Sequence, residues 1–376
     1  MQKLVYLSTA IIPSTQANSI QIMKMCNALC RFNFDVTLLA GEPYDKNINV
    51  FEYYGLENTF SIITKKTGYH RGSTFLLSVR YYPLLKKLAK SDEDILFYGR
   101  DVIALYILAR VGRQVIYEVH DIFRKGPRKW AEERLIKSQN LHKIVFISDE
   151  LKKEYLKKYD KLLADNQMIV ASDAADRQPN FTEAIKLNGN FDFNACYIGS
   201  FRSGSGVEMI LEIAKKIPVV GFHLFGGNDK QIYRFKQKDS SNVHFYGHLP
   251  PTQTYRIRNA ADVLLIPYQK KVIVSRNTAA ETSQWMSPMK MFEYMSSKKP
   301  IISSNHKVLQ EVLRPNYNCL LCEPENVQQW IQAIRKLKED TELCNTISEN
   351  AYKDFLSHYT WNKRIDNIFF EKLNTQ

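Results

Sequence analysis

Residues 195–225, ACYIGSFRSGSGVEMILEIAKKIPVVGFHLF, contain one complete strand–helix–strand unit. Ala195–Gly199 is a short apolar run of strand character, Gly206–Lys216 repeats its apolar residues at helical spacing, and Val219–Phe225 is apolar and β-branched again. A helix between two strands carries the chain back to the edge it started from, so the strands run parallel. Outward from this unit the alternation continues, with strands near Val243–Tyr246, Asp262–Pro267 and Pro300–Ser303. Helices are expected near Thr252–Ala260, Pro288–Ser296 and Val327–Lys338. The first half carries its own series: strands at Lys3–Ser8, Asp35–Ala40, Ile95–Tyr98, Gln114–Val119, Lys143–Ile147 and Met168–Ala171, with helices such as Ile20–Arg31 and Asp149–Leu163. Two such series predict an α/β protein of two doubly wound, Rossmann-like domains rather than one barrel. The polar stretch Asp173–Asn190 is the expected join, and Tyr352–Leu373 is expected to be a closing helix with Trp361, Ile365, Ile368 and Phe369 on one face. Ligands of doubly wound sheets bind outside the carboxyl ends of the strands, so two domains facing across a cleft are expected to place their chemistry just after strands.

Composition agrees with two buried cores. The chain has 376 residues, 44% hydrophobic and 24% charged, with 15 Gly and 13 Pro, which excludes disordered and collagen-like chains. No apolar run approaches the roughly 18–20 residues that span a bilayer, and Lys3 followed by Ser8 and Thr9 reads as a first strand rather than a secretion signal. The formal charge of +13 favours anionic partners without choosing among phosphates, nucleic acid and acidic lipid. The six cysteines, Cys26, Cys30, Cys196, Cys319, Cys322 and Cys344, are too sparse for a disulfide framework. Cys319-Leu-Leu-Cys322 has ligand spacing but no second pair to complete a zinc site, so reduced thiols in a cytoplasmic protein are expected.

Three segments could carry chemistry. Ser287-Pro-Met-Lys-Met-Phe-Glu-Tyr-Met295 opens a helix, with Ser287 expected as its N-cap and Pro288 at its first position. The first-turn N–H groups and the Lys290 ammonium could hold an anion, and Glu293 could accept two ribose hydroxyls. An ordinary capped helix burying Met291, Phe292 and Met295 fits the same residues. Ile198-Gly-Ser-Phe-Arg-Ser-Gly-Ser-Gly206 lets backbone approach a phosphate at Gly199, Gly204 and Gly206, with Arg202 adding charge, yet it is neither a P-loop nor a full GxGxxG and a plain turn also explains it. Tyr117-Glu-Val-His-Asp121 is a strand ending in two polar residues. Asp92-Glu-Asp94 matches a DxD metal pattern but precedes a strand, so it reads as a solvated turn.

In this order the segments resemble family 4 glycosyltransferases of GT-B fold, over nearly the whole chain. STAIIPSTQANSIQIMKMCNAL resembles the first strand, loop and helix, YEVHD the cleft-facing strand end, and YIGSFRSGSGVEMILEIA the diphosphate-binding opening of the second domain. HLFGG, FYGHLPPTQTYRIRNAADVLLIPY, SPMKMFEYMSSKKPIISSN and the tail HYTWNKRIDNIF follow in register. The resemblance implies an N-terminal acceptor-binding domain at 1–175, a C-terminal donor-binding domain at 176–355 and a helix at 356–376 returning to the first domain. It implies transfer of a sugar, with retention, from a nucleotide diphosphate donor, UDP by family habit, to a glycan or lipid-linked acceptor in surface polysaccharide synthesis.

Carried onto this chain, the resemblance makes Arg202, Lys290, Glu293 and His120 the catalytic set. Gly199, Ser200, Arg202, Ser287, Pro288, Met289, Lys290, Met291 and Glu293 would hold diphosphate, sugar and ribose, and Gly226, Gly227, Gly247, His248 and Leu249 would lie near ribose or base. Ser14, Thr15, Asn18, Ser19 and Asp121 would face the acceptor. Ser200 and Ser205 stand where many members carry basic residues, so Arg202 or Lys290 must compensate, and Trp285 replaces the first Glu of the E-x7-E motif. Cations and helix ends can do a metal's work, so neither an essential metal nor another cofactor is expected. Arg80–Lys90 and Phe123–Trp130 mix basic and apolar residues, which suits docking on an anionic membrane surface at the cytoplasmic face. A nucleotide-sugar epimerase and a nonenzymatic binder are the competing readings; no RNP, KH or helix-turn-helix pattern supports nucleic acid as a partner.

Overall fold

The computed structural model describes the chain apart from residues 44–46, 68–72, 180–182, 239, 273–282 and 371–376. The chain divides into two compact units, one made of Met1–Ser172 together with the segment from Trp361 onward, the other of Asp173–Thr360. Residues 180–182 of the expected join and 371–373 of the expected closing helix lie outside the described residues.

In the first unit the elements run β1 (Gln2–Ile11), α1 (Ala17–Arg31), β2 (Phe34–Gly41), α2 (Val50–Tyr54), β3 (Ser61–Lys65), α3 (Ser73–Ala89), β4 (Ile95–Gly99), α4 (Val102–Arg110), β5 (Val115–Val119), α5 (Pro127–Ile136), β6 (Leu141–Phe146), α6 (Asp149–Tyr159) and β7 (Met168–Val170). The seven strands are parallel in the order β3-β2-β1-β4-β5-β6-β7. Leu4–Leu7 of central β1 are buried without alternation, as they must be in a strand covered on both faces.

The second unit runs β8 (Asn194–Ile198), α7 (Val207–Lys216), β9 (Gly221–Phe225), α8 (Asp229–Lys236), β10 (Val243–Gly247), α9 (Thr254–Ala260), β11 (Val263–Ile266), α10 (Met289–Met295), β12 (Ile301–Ser304), β13 (Leu320–Cys322), α11 (Val327–Glu339) and α12 (Thr341–His358). Its parallel order, β10-β9-β8-β11-β12-β13, repeats the wiring of the first sheet. Alternate side chains fill two cores. Tyr197, Leu224, Leu265 and Ile302 pack with Ile210 of α7 and Trp330 of α11, while Cys196, Phe225, Leu264 and Ile301 pack with Ile257 of α9, Phe292 of α10 and Phe355 of α12.

Two edge strands escape the sequence pattern. β3 is short and half-exposed, and β13 is three residues long inside the CLLC segment. All six cysteines are free. Cys322 and Cys319 belong to the opposite cores of the second unit, and no group of three or more metal-binding side chains occurs among the described residues.

The expected continuous helix over Tyr352–Leu373 is broken. Its chain leaves α12 at His358, extends through Thr360, which bridges to Ala175, and resumes as α13 (Trp361–Ile365) with a π-turn at Asp366–Phe370. The Ala175 N–H donates to the Tyr359 carbonyl at 3.1 Å, which satisfies the opened backbone. The Arg364 side chain is buried in the first unit, donating to the carbonyls of Ser172 at 2.9 Å and Ala171 at 3.2 Å.

Candidate functional site

The carboxyl ends of β8, β9 and β10 are tied together through glycines. The Gly199 N–H donates to the Phe225 carbonyl at 2.9 Å, and the Gly226 N–H to the Gly247 carbonyl at 2.6 Å. Gly226 has φ +127°, and a Cβ there would sit 1.9 Å from the Gly199 carbonyl oxygen, so no other residue fits. At the start of α7, Gly206 has φ +89° and touches the Pro267 carbonyl, which folds the 199–206 loop against the end of β11. Gly227 lies against the Phe201 ring, Leu249 is half-buried against the core, and His248 is exposed.

Helix α10 is fixed over this edge by Tyr294, whose buried hydroxyl accepts the Ile198 N–H at 2.9 Å. One residue further along β8 stands Gly199, and Lys290 reaches it: a Cβ on Gly199 would lie 2.5 Å from the Lys290 Nζ. The ammonium sits 4.2 Å from the Tyr197 ring centroid and 5.0 Å from that of Tyr268. Burial among these groups pushes the Lys290 amine down to about 7, against the opposing pull of the Glu293 carboxylate.

One turn further along α10, Glu293 has an oxygen 3.8 Å from Nη1 of Arg258 on α9. Arg258 is buried; its Nη1 donates to Thr254 at 3.1 Å, and its Nε has no hydrogen-bonding partner among the described residues. Arg258, Tyr294 and Tyr268 were not anticipated, because nothing in their local sequence marks a side chain whose partner is 22 to 96 residues away.

Ser287 departs from expectation. Its hydroxyl accepts the Asp173 N–H at 2.9 Å and does not cap α10; Pro288 holds the N-cap position, and Met289 is the first helical residue. Met291 points into the core beneath, and Trp285 is buried rather than presented at the surface. Ser200 and Arg202 are exposed at the outer part of the loop, where the guanidinium lies within electrostatic reach of Tyr197.

In the first unit, His120 follows β5 with its Nε2 2.5 Å from Oε1 of buried Glu118. Asp121 Oδ1 accepts the Ile122 N–H at 2.8 Å. Of the acceptor-side residues, Thr15 and Asn18 are exposed and Ser14 is half-buried. Ser19 is buried, and its hydroxyl is committed to the Ser14 and Gln16 carbonyls, both at 2.8 Å.

The donor-side constellation of glycines, lysine and glutamate therefore falls on one sheet edge of the second unit. Residues 188–354 match the family of group 1 glycosyl transferases. The matched segment lies within the second unit and contains every residue from Gly199 to Glu293 just described. An uncharacterized glycosyltransferase of Methanocaldococcus jannaschii is 24% identical over 227 residues, 60% of this chain; the chain spans 57% of the length of that curated relative. Among solved structures, sucrose-phosphate synthase from Thermosynechococcus elongatus is similar with a TM-score of 0.72 at 16% identity, over 97% of this chain and 96% of that one. The Anabaena protein HepE, solved with UDP-glucose, gives 0.67 at 14% identity, over 97% and 98%. These likenesses show the fold: two parallel-sheet α/β units of GT-B type.

Proposed function

We propose that the protein is a retaining glycosyltransferase that moves a sugar from a nucleotide diphosphate donor to a glycan or lipid-linked acceptor in surface polysaccharide synthesis. The observation that carries this reading is the enclosed Lys290 ammonium against the Gly199 turn, with Glu293 one turn away on the same helix face. A cation at a glycine turn suits a diphosphate, and a carboxylate one turn on suits the ribose hydroxyls. HepE was solved with UDP-glucose, which supports a UDP-sugar donor.

In this reading the C–O bond to the leaving diphosphate breaks as the acceptor hydroxyl attacks the same face of the anomeric carbon. Lys290, with Arg202 at the loop, stabilises the charge that develops on the departing oxygen, and the acceptor proton passes to that oxygen. Glu293, held by Arg258, aligns the ribose. His120, the Ser14–Ser19 loop and Asp121 are assigned to the sugar and the acceptor. The side chains named supply the charge stabilisation without calling on a metal.

Thermal-shift screening against UDP-, GDP-, ADP- and CMP-sugars tests the reading. A UDP-sugar is expected to raise the melting temperature, unchanged by excess EDTA, and Lys290→Met to remove the shift while leaving the unliganded melt nearly intact. Stabilisation by none of the four, or loss with EDTA, contradicts it.

We also propose docking on an anionic membrane at the cytoplasmic face. No helix among the described residues is long and apolar enough to cross a membrane. Helix α3, however, exposes Leu76, Val79 and Tyr82 by 46%, 47% and 49%, beside Arg80, Lys86 and Lys87. On α5, Trp130 is 48% exposed with the Arg134 guanidinium 3.9 Å from its ring. Apolar side chains flanked by cations suit an acidic lipid surface. Co-sedimentation with vesicles containing phosphatidylglycerol is expected, and with pure phosphatidylcholine vesicles it is not; equal binding to both argues against this docking.

A further inference from the structure

We propose that Glu118, clamped by Arg364 of the C-terminal segment, is a positioning residue for His120: it fixes the imidazole with its proton on Nε2 and its lone pair on Nδ1, as a hydrogen-bond acceptor for a sugar hydroxyl. The sugar-hydroxyl role rests on the glycosyltransferase reading; the clamp itself does not.

Glu118 stands in β5, a strand buried along its whole length, where an unpaired carboxylate is costly. Around it converge Gln21 Nε2 from α1 at 3.2 Å, the Tyr98 hydroxyl from β4, Arg100 Nε from the turn after β4 at 3.2 Å, and Arg364 Nη1 from α13 at 3.2 Å. His120 Nε2 completes the set at 2.5 Å. Burial works against the charged carboxylate, but the Arg364 guanidinium and the hydrogen bonds from His120 and Arg364 outweigh it and hold Glu118 below the usual carboxylate range. An anionic carboxylate can only accept, so the facing Nε2 must carry the ring proton.

A carboxylate needed only to anchor the tail would be satisfied by Arg364 and Tyr98. Its other oxygen, Oε1, faces Gln21, Arg100 and, at the shortest distance, the half-exposed imidazole at the strand end, which goes beyond that. Buried ion pairs are seldom the most stabilising choice in a core, which points to an orienting use here. Glu118 contacts His120 and is itself paired with Arg100 and Arg364, and Asp121 adjoins the ring in sequence. Tyr6 and Cys26, also near Glu118, are held protonated and neutral by burial. The Glu118 carboxylate in contact with the ring favours the imidazolium, and the two guanidiniums paired with it oppose that.

The test is a pH titration of the labelled histidine rings by NMR on the full chain, with the His120 signal assigned by its loss in His120→Gln. In the wild type, the neutral ring is expected to show its proton on Nε2. In Glu118→Gln its midpoint is expected to fall by about one pH unit or more, since a contacting negative charge is removed while both arginines remain. In the charge-balanced Glu118→Gln/Arg364→Met chain, used if the single variant does not fold, the midpoint is expected to fall by less, because one opposing guanidinium leaves with the contacting carboxylate. A wild-type proton on Nδ1, or an unmoved midpoint in whichever variant folds, overturns the proposal. With UDP-glucose as donor, Glu118→Gln is expected to lower kcat about tenfold or more with KM within about twofold, and to add little to His120→Gln. Additive losses overturn the positioning role. If the wild type neither binds nor turns over any of the four nucleotide-sugars, the glycosyltransferase reading fails, and the ring titration alone decides the clamp.

Discussion

Lys290→Met is expected to remove measurable nucleotide-sugar binding and to lower turnover by roughly a hundredfold or more, on the scale of losing one charge-stabilising donor, without lowering the melting temperature of the unliganded protein. The reason is the enclosure of its ammonium by Tyr197, Tyr268 and the Gly199 turn. Burial has lowered the amine to about 7, far below a free lysine, so the unliganded fold works against this charge. The sign follows from linkage. Between about pH 7 and 10.5 the unfolded chain binds the proton more readily than the folded chain, so stability from this residue rises with pH across that window and the charge is a cost below it. Methionine carries no such cost.

Binding a diphosphate reverses the balance, because a buried anion needs the ammonium. Above pH 7 the donor must therefore bring a proton with it, and its affinity is expected to fall by about tenfold per pH unit until the complex itself loses that proton. Calorimetry with a UDP-sugar from pH 6 to 9, in buffers of different ionisation enthalpy, measures both quantities. Affinity independent of pH, or a large loss of unliganded stability in Lys290→Met, would show that this lysine is part of the core rather than of the donor site.

The second large effect is structural. Gly226→Ala is expected to cost the second unit about 4 kcal/mol, from a left-handed backbone and a hard clash combined. The new Cβ would lie 1.9 Å from the Gly199 carbonyl oxygen, and that atom belongs to the backbone of a strand end with little freedom to move. In a unit of this size the melting temperature is expected to drop by roughly 10 °C. Gly112→Ala supplies the comparison. Its φ is +88° but nothing lies within 4 Å of its Cβ position, so only the backbone preference is lost, about 1 kcal/mol. Calorimetric melting of both variants separates clash from strain, and equal losses would refute the claim that close packing of the β8, β9 and β10 ends fixes the site.

The alternation of strand and helix made both sheets legible, because parallel strands covered on two faces are apolar throughout and helices between them show a distinct period. β3 and β13 were missed for the same reason in reverse: edge strands bury less and need less apolar length. Lys290 and Glu293 could be picked out because Ser-Pro announces a helix start after a strand, where a cation and a carboxylate within the first two turns suit a phosphate and a ribose. What the chain could not disclose is pairing over distance. Arg258 meets Glu293, Tyr294 meets Ile198, and Arg364 meets Glu118 only after two cores have closed. Ser287 was misjudged because a serine before a helix is usually its cap, and the competing donor, the Asp173 N–H, is 114 residues away.

The first unit is assembled from two separated pieces of polypeptide, with the whole second unit between them in sequence. On a ribosome that has consequences for timing. Asp173–Thr360 is continuous and can close as it emerges, whereas Glu118 must wait for Arg364 until nearly 250 residues more have been made. At synthesis rates of about 5–20 residues per second that wait lasts on the order of ten seconds or longer, during which a buried carboxylate lacks its principal counter-charge. The nascent N-terminal sheet thus completes its interior last, although it is translated first.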